Sequence, residues 1–451
     1  MNFKSINPFD LQLVKTYESI SAKSLGKKIR KSEKAFSNWG ILSPHQRIPL
    51  FTSLSEVLLR RKEELAHRIT LEMGKPITES VAEIEKCALV CRYYAEKGEI
   101  FLADKTIALK DKKAWVSFEP TGGVLGIMPW NFPFWQVFRF AVPTLMAGNT
   151  VLLKHSSNVP GCAQLIEDVF LEAGFAIGIF QNLLISDKKI KKIIEDDFIQ
   201  GVSLTGSVRA GAAVGEIAGK NIKRTVLELG GSNAFLVFAD ADIDKAVKMA
   251  ITGRFGNAGQ SCIAAKRFIV HESVHDEFQN AFAVEMMKLK VGNPIEKEVK
   301  IGPLARPDLA ETLDKQVQRS LKKGAKLLLG GTRENCFYQP TLLSNVTPGM
   351  PAFDEELFGP VAALIKASND EEMINFANRT QFGLGVNLFS QDVDRMKQLV
   401  RRFNEGAVFI NDVVKSDPVL PFGGVKKSGI GRELGEDGIK AFVNIKTVVI
   451  A

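Results

Sequence analysis

Between residue 113 and about residue 420, short β-rich runs alternate with helix-length segments, and no other feature restricts the possible folds as much. The first set of runs comprises Trp115–Phe118, Val124–Met128, Thr150–Leu153, Leu183–Ile185 and Val202–Leu204. Helix-like segments Trp135–Met146, Pro160–Ala173, Asp187–Glu195 and Val208–Ala218 separate them. A second set follows with different motifs: Phe235–Phe238, 242–253, Phe268–His271, 272–288 and, later, Val408–Ile410. Strands joined through helices at this spacing form parallel sheets with helices packed on their faces. Two α/β units are therefore expected. Residues 1–112 read as helical, with Leu50, Leu54, Leu58 and Leu59, then Leu65, Ile69 and Leu71, near helical spacing, and Ser43 as an N-cap. The tail Lys446–Ile450 is β-rich but has no strand near it in sequence. It is expected to pair with a distant segment or with another subunit.

The length of 451 residues suits two or three domains, at roughly 150 residues each. Hydrophobic residues at 45% and charged residues at 24% are globular proportions, which argues against a disordered or fibrous chain. No stretch of ~18 uncharged apolar residues occurs, and Arg139 breaks the most apolar one, so no membrane span is expected. The opening MNFKSINPFDLQ has no continuous apolar run, so no secretory signal is expected and a cytoplasmic location is. Five cysteines without a CxxC predict neither a disulfide framework nor a metal site. Cys87 and Cys91 sit four apart on a helix with no histidine to complete a ligand set; they read as packed thiols, and Cys162 and Cys336 carry no motif. Fifty-nine Lys and Arg against 51 Asp and Glu give a net charge of +8. The basic residues are dispersed, as in 188–192 beside Glu195, Asp196 and Asp197, which predicts solvated helix faces and no nucleic-acid stripe. A mild attraction for anionic small molecules is consistent with this balance.

Four segments carry chemistry. No GxGxxG fingerprint is present; Leu204-Thr-Gly206-Ser207-Val-Arg-Ala-Gly211 instead places a glycine and a hydroxyl between a strand and a helix. Such a turn either simply reverses the chain or offers the N–H groups of the helix start to a phosphate. Phe255-Gly-Asn-Ala-Gly-Gln-Ser-Cys262 holds a thiol in a glycine-containing loop before a helix-like stretch, whose N–H dipoles would acidify it. A packed core thiol is the alternative. Val226-Leu-Glu228-Leu-Gly-Gly-Ser sets a carboxylate in an apolar run just before two glycines. Buried there, its pKa would rise; at a strand end it would be a surface acid. In Gly126-Ile-Met-Pro-Trp130-Asn131-Phe-Pro, aromatic rings and prolines hem in an amide, which either closes a turn or donates to a developing oxyanion.

Together these segments, with Glu355-Glu356-Leu-Phe358-Gly-Pro360 and Pro421-Phe-Gly-Gly-Val-Lys-Lys-Ser-Gly429, resemble the aldehyde dehydrogenase superfamily in the superfamily's order and over essentially the whole chain. The N-terminal part looks somewhat shorter than in many members. The resemblance implies two Rossmann-like α/β domains and a small β oligomerisation arm. Residues 1–112 and 128–229 with 421–437 would bind the dinucleotide, 230–420 would be catalytic, and 113–127 with 438–451 would form the arm of a homodimer or homotetramer. It also implies that Cys262 is the nucleophile, Asn131 and the Cys262 N–H hold the oxyanion, and Glu228 activates the water that hydrolyses a thioester. Relatives that acylate coenzyme A generally lack this glutamate, so a free acid is the implied product.

For the cofactor, the resemblance assigns Lys154 to the adenosine ribose, Ser207 after Gly206 to the pyrophosphate, Trp130 to the nicotinamide half, and Glu356 beside Phe358 to the nicotinamide ribose. Members that prefer NAD commonly carry glutamate three residues after that lysine; here Ser157 stands there. A hydroxyl tolerates a 2′-phosphate that a carboxylate would repel, so NADP is expected, with NAD usable. His155 replaces the usual proline and reads as a subgroup feature, not a base. Arg139, eight residues after Asn131, stands where succinate-semialdehyde dehydrogenases place a carboxylate-binding arginine, and the motifs around it are most like bacterial members of that subgroup. The alternative is that Arg139 pairs with a structural acid. A second arginine known in some of those enzymes is Gly256 here. Ser416 is expected to supply the missing polar contact and Trp135 to wall the substrate tunnel. Other small semialdehydes or aldehydes, or a non-catalytic nucleotide-binding scaffold, are the competing readings.

Overall fold

The computed structural model describes residues 2–451 and forms two mainly parallel, helix-covered sheets with a separate antiparallel arm. In the six-stranded sheet the spatial order is Gly429–Ile430, Arg224–Glu228, Ile199–Thr205, Gly123–Met128, Thr150–His155 and Phe180–Asn182. All neighbours in it run parallel except the first pair. The chain leaves Gly123–Met128 towards one edge and then returns to its other side at Ile199–Thr205. This reversal opens a crevice beyond the carboxyl ends of the two strands, the usual place for a ligand in an open α/β sheet. The seven-stranded sheet runs Lys326–Leu329, Thr341–Ser344, Val361–Ala367, Ala265–His271, Asn233–Val237, Val386–Phe389 and Val408–Ile410. Only its first pair is antiparallel.

Every residue of Gly123–Met128 is buried and the strand is paired on both sides. It is therefore a central strand of the first sheet and not, as expected above, part of the arm. The arm consists of Lys105–Leu109, Lys112–Pro120 and the tail Val443–Ile450, which pairs antiparallel along Lys112–Pro120 of its own chain. Residues 438–440 belong instead to the helix Gly435–Lys440. The expected helical start also contains a hairpin, Asn2–Ile6 with Leu13–Glu18. The strand expected at Leu183–Ile185 lies at Phe180–Asn182. Ser43 does cap its helix, in a reciprocal capping box with Gln46.

The helix Trp135–Met146 is buried along its whole length, between the sheet and the long helix Ile77–Phe101. It approaches the central strand so closely that a Cβ on Gly126 would overlap the ring of Phe140. Its start is held by Glu83, whose Oε1 accepts from the N–H groups of Phe134 and Trp135 at 2.9 Å each. The other oxygen pairs with the buried Lys75, which lies over the Phe132 ring at 3.8 Å. One carboxylate thus satisfies two orphan helix donors and one buried cation.

Glu83→Ala should cost about 3–5 kcal/mol, because it strands the Lys75 charge and both N–H groups. Glu33→Ala, at the exposed Arg30–Glu33 pair, should change stability by less than about 1 kcal/mol. Urea unfolding of both variants tests the contrast; equal small losses would show that the buried pair does not anchor this helix.

Candidate functional site

The two central strands end at the cleft. Beyond Gly123–Met128 come Pro129, Trp130 and Asn131; beyond Ile199–Thr205 come Gly206 and Ser207. Both loops line one cavity of about 220 Å³, together with Leu229, Gly230 and Gln136. Cys262, Glu356 and Phe358 close it from the other domain. Cys262, Asn131, Trp130, Gly206, Ser207, Glu356 and Phe358, far apart in the chain, therefore share one site.

The thiol loop is stitched to the Asn131 loop through amides. Asn131 Nδ2 donates to the Gln260 carbonyl at 2.9 Å, and Asn257 Nδ2 donates to the Asn131 carbonyl at 2.7 Å. Asn257 and Ala258 both adopt left-handed backbone, with φ of 53° and 51°. Each such non-glycine residue carries a cost of order 1–3 kcal/mol that surrounding contacts must offset. Glu79 supplies one of them, its Oε2 accepting from the Asn257 N–H at 2.7 Å. The second Nδ2 hydrogen of Asn131 and the backbone N–H of Cys262 have no protein acceptor among the described residues. Two donors thus remain on residues that line one cavity.

A strand, Ala265–His271, follows Cys262, so the helix expected to acidify the thiol is absent. Burial instead pushes the thiol up to about 11, while the charges of Arg139 and Lys266 act to lower it. Lys266, itself brought down to about 8 by burial, donates to the carbonyls of Ser261 and Cys262 at 2.9 Å each. Its ammonium also stands 3.4 Å from Glu356 Oε1, which accepts from the Gly231 N–H at 3.1 Å. Glu356 Oε2 receives no protein donor among the described residues.

Glu228 ends the strand Arg224–Glu228 and is buried, with both carboxyl oxygens unpartnered. Burial raises its pKa well above the ordinary carboxylate value, and Arg139 opposes the rise. Its carboxyl packs against Gly423, behind the cavity wall formed by Leu229 and Gly230.

Several features fit a dinucleotide. Ser207 caps the helix Val208–Lys220 by accepting from the Ala210 N–H at 3.2 Å, which leaves the earlier N–H groups of that turn for an anion. Trp130 and Phe358 meet edge to face at 5.9 Å. Lys154 and Ser157 lie outside this cavity. Lys154 pairs with the 81%-exposed Asp187 at 2.5 Å, and Ser157 lines a neighbouring cavity with Arg306. No cluster of three or more potential metal ligands occurs among the described residues, and none of their helices is long and apolar enough to cross a membrane.

Of the residues expected at the substrate, Trp135 and Ser416 meet each other: the indole N–H donates to Ser416 Oγ at 2.9 Å. Arg139 has a protein partner, the alternative that its sequence setting left open. Its side chain is only 3% exposed, it forms an ion pair with Glu433, and it lies over the Phe422 ring at 4.5 Å. Its Nη2 reaches Thr205 Oγ1 at 3.4 Å. A structural acid, brought close by the fold from almost 300 residues away in the chain, already balances this guanidinium. Sequence reasoning missed Lys86, Gln136, Asn257, Lys266 and Glu433. Gln136, adjacent to Trp135 on a helix already singled out, and Asn257, inside the thiol loop, carried a usable signal.

His155 holds the Asn131 loop from outside the cavity. Its Nδ1 accepts from the Ser156 N–H at 2.8 Å, so Nε2 carries the proton and donates to the Pro133 carbonyl at 2.9 Å. Burial lowers its pKa from 6.5 to about 4. It is a neutral brace, not a base.

Residues 1–448 match the family described as the aldehyde dehydrogenase family. The chain is 46% identical over 454 residues to a probable NADP(+) succinate-semialdehyde dehydrogenase of Synechocystis sp., covering all of both chains. It is 44% identical over 447 residues to the NAD(P)+ succinate semialdehyde dehydrogenase Sad of Escherichia coli, covering 98% of this chain and 97% of that one. The fold superposes with a TM-score of 0.97 on the crystal structure of succinic semialdehyde dehydrogenase from Streptococcus pyogenes in complex with NADP+, at 35% identity and 99% coverage of each chain.

The His155 brace predicts a pH dependence. Unfolded, this imidazole takes up a proton near pH 6.5; folded, it resists until about pH 4. Its stabilising share is complete above pH 6.5 and falls as the pH drops to 4, by about 3 kcal/mol in all. His155→Asn, which cannot ionise in this range, should flatten the stability curve between pH 6.5 and 4 in urea titrations. An unchanged slope would remove His155 as its origin.

Proposed function

The chain belongs to the aldehyde dehydrogenase family, and from that premise we propose that it oxidises succinic semialdehyde to succinate with NADP as the preferred hydride acceptor and NAD as a weaker one. The observation that carries the catalytic reading is the meeting of Cys262 with the spare Asn131 donor in one cavity, lined by residues suited to a dinucleotide. The substrate class is supported by the names of the relatives and by the buried donors around Ser416.

In this mechanism Cys262 Sγ bonds to the aldehyde carbon and the thiol proton is lost to solvent or to Glu228. The carbonyl oxygen becomes an oxyanion that receives the free Asn131 Nδ2–H and the Cys262 N–H. Removing one such donor typically costs about 3–4 kcal/mol of barrier. When bound, the oxidised nicotinamide supplies the acceptor for the hydride that leaves this carbon, and Cys262 is left as a thioester. Glu228 then turns from Gly423 towards the sulfur and takes a proton from water; hydroxide adds, the C–S bond breaks, the departing thiolate recovers that proton, and the free acid leaves. A raised pKa suits this task, because the carboxylate that forms is a stronger base than an exposed one.

The cofactor residues follow the same reading. Glu356 Oε2 would take the nicotinamide ribose, Trp130 and Phe358 would flank the ring, and Gly206 with Ser207 would admit the pyrophosphate. Lys154 would leave the exposed Asp187 for the phosphate-bearing ribose beside Ser157. Arg139, balanced by Glu433, would contribute charge to the reacting end, and Trp135 would wall the substrate. The assembly proposed is a homodimer or homotetramer built through the arm, whose outer strand leaves Ile445, Val449 and Ile450 exposed. Five free thiols, four of them buried, suit a cytoplasmic location.

Cys262→Ala should abolish turnover while cofactor binding, followed by fluorescence, persists. Glu228→Gln should release about one equivalent of reduced cofactor per site and then stall. In the native enzyme the steady-state rate should rise with pH above the ordinary carboxylate range, because only the ionised Glu228 serves as base. Normal turnover by the alanine variant would refute the nucleophile, and multiple turnover without a burst by the glutamine variant would refute the base. Assays crossing succinic semialdehyde, glutaric semialdehyde, butanal and betaine aldehyde with both cofactors test the substrate reading. It fails if an uncharged aldehyde is preferred.

A further inference from the structure

We propose that Lys86, with the hydroxyl of Ser416, receives the distal carboxylate of the substrate. This rests on the semialdehyde reading above and names the cation that reading requires.

Lys86 lies on the helix Ile77–Phe101, against the start of Trp135–Met146. Its ammonium donates to Ser416 Oγ at 3.0 Å and sits 4.2 Å from the centre of the Trp135 ring. No carboxylate among the described residues forms an ion pair with it. Asp417 and Glu83 attract it from a distance, but neither is paired with it: Glu83 holds Lys75 and two backbone N–H groups, and one Asp417 oxygen accepts from the Val419 N–H. Arg139, from the facing helix, adds a like charge. Burial and that charge together bring the ammonium down to about 8. A half-buried cation near a second cation, without an ion-paired carboxylate in contact, is a place where an added carboxylate is favoured.

The hydrogen-bond count at Ser416 leads to the same ligand. An indole N–H and an ammonium can only donate. Both donate to Ser416 Oγ, so both of its lone pairs are occupied. The hydroxyl proton must therefore point elsewhere, and no protein acceptor receives it among the described residues. Ser416 is nearly buried, so this donor is not spent on bulk water. The group thus presents an O–H and spare ammonium N–H bonds, all donors, with no acceptor to offer in return. A carboxylate satisfies every one; an aliphatic tail satisfies none, and a trimethylammonium tail would be repelled. Arg139 acts electrostatically on both Lys86 and the Cys262 thiol, so this cluster and the reacting sulfur flank one guanidinium. Arg139, the expected clamp, is already balanced by Glu433.

The test compares kcat/KM for succinic semialdehyde with that for butanal, a four-carbon aldehyde without the charge, in the full-length protein. Lys86→Met should lower the ratio of the two about 30-fold, mainly through KM for the semialdehyde. Ser416→Ala should lower it about 5- to 10-fold, and Lys86→Arg, which keeps the charge, should restore most of it. Succinate should inhibit butanal oxidation by the native enzyme competitively with aldehyde, and Lys86→Met should weaken that inhibition by a similar factor. A merely structural lysine would depress both substrates together and leave the ratio unmoved, which overturns the proposal. So does an unchanged ratio with full activity. A native enzyme that shows no preference for the semialdehyde overturns the substrate reading itself, a result distinct from a preference that survives Lys86→Met.

Discussion

The active arrangement depends on the amide bonds that fasten the thiol loop to the loop after the central strand. Neither loop is regular structure, and each projects from a different sheet. Asn131 reaches the Gln260 carbonyl, Asn257 returns to the Asn131 carbonyl, and Glu79 holds the Asn257 N–H from a third element. Two adjacent left-handed residues would otherwise relax and carry Cys262 with them. A donor stabilises an oxyanion only when it is already in place before charge develops. The loops' crosslinks supply that order, and they use one Asn131 hydrogen while leaving the other without a protein acceptor among the described residues.

Burial sets the electrical state of the site. It holds both the Cys262 thiol and the Glu228 carboxyl towards their neutral forms, and it brings Lys266 down to about 8. Opposite charges are placed where they limit this effect: Arg139 acts on both the thiol and Glu228, while Glu433 balances Arg139. The resting site is thus poised, with its nucleophile protonated and its base buried. Reaction requires proton movement within a buried site, where each unit charge is felt more strongly than in water.

The sheets were legible because buried parallel strands leave long apolar runs, and the loops at their ends carried glycine, cysteine, glutamate and asparagine in distinctive settings. Gly123–Met128 was misassigned because a central strand and an arm strand have the same local composition; only its pairing partners separate them. The hairpin at the start was missed because its first strand buries only Phe3 and Ser5, too few positions to set a period. The thiol's environment was misread for a related reason: the residues after Cys262 suit a helix or a strand, and the fold chose the strand. Arg139 was placed on the correct helix, but its partner Glu433 lies on a distant segment that nothing local foretold. Lys86 gave no signal, since its helix carries charges at many exposed positions and sequence does not reveal which one the neighbouring helix covers.

The first turn of Trp135–Met146 then acquires a meaning that its uniform burial conceals. Glu83 satisfies its opening N–H groups, so the turn is held without a capping side chain of its own. Trp135 leans to Ser416 and Lys86, Gln136 to the cavity of Cys262, and Arg139 to Glu433 and Thr205. Three side chains from the start of one rigid helix thus address three environments. Because they share a backbone held by a buried ion pair, the spacing between the tail of a bound aldehyde and its reacting carbon is a property of that turn. Chemistry at the sulfur and selection at the tail can therefore change by separate substitutions, while the distance between them stays fixed by the packing beneath.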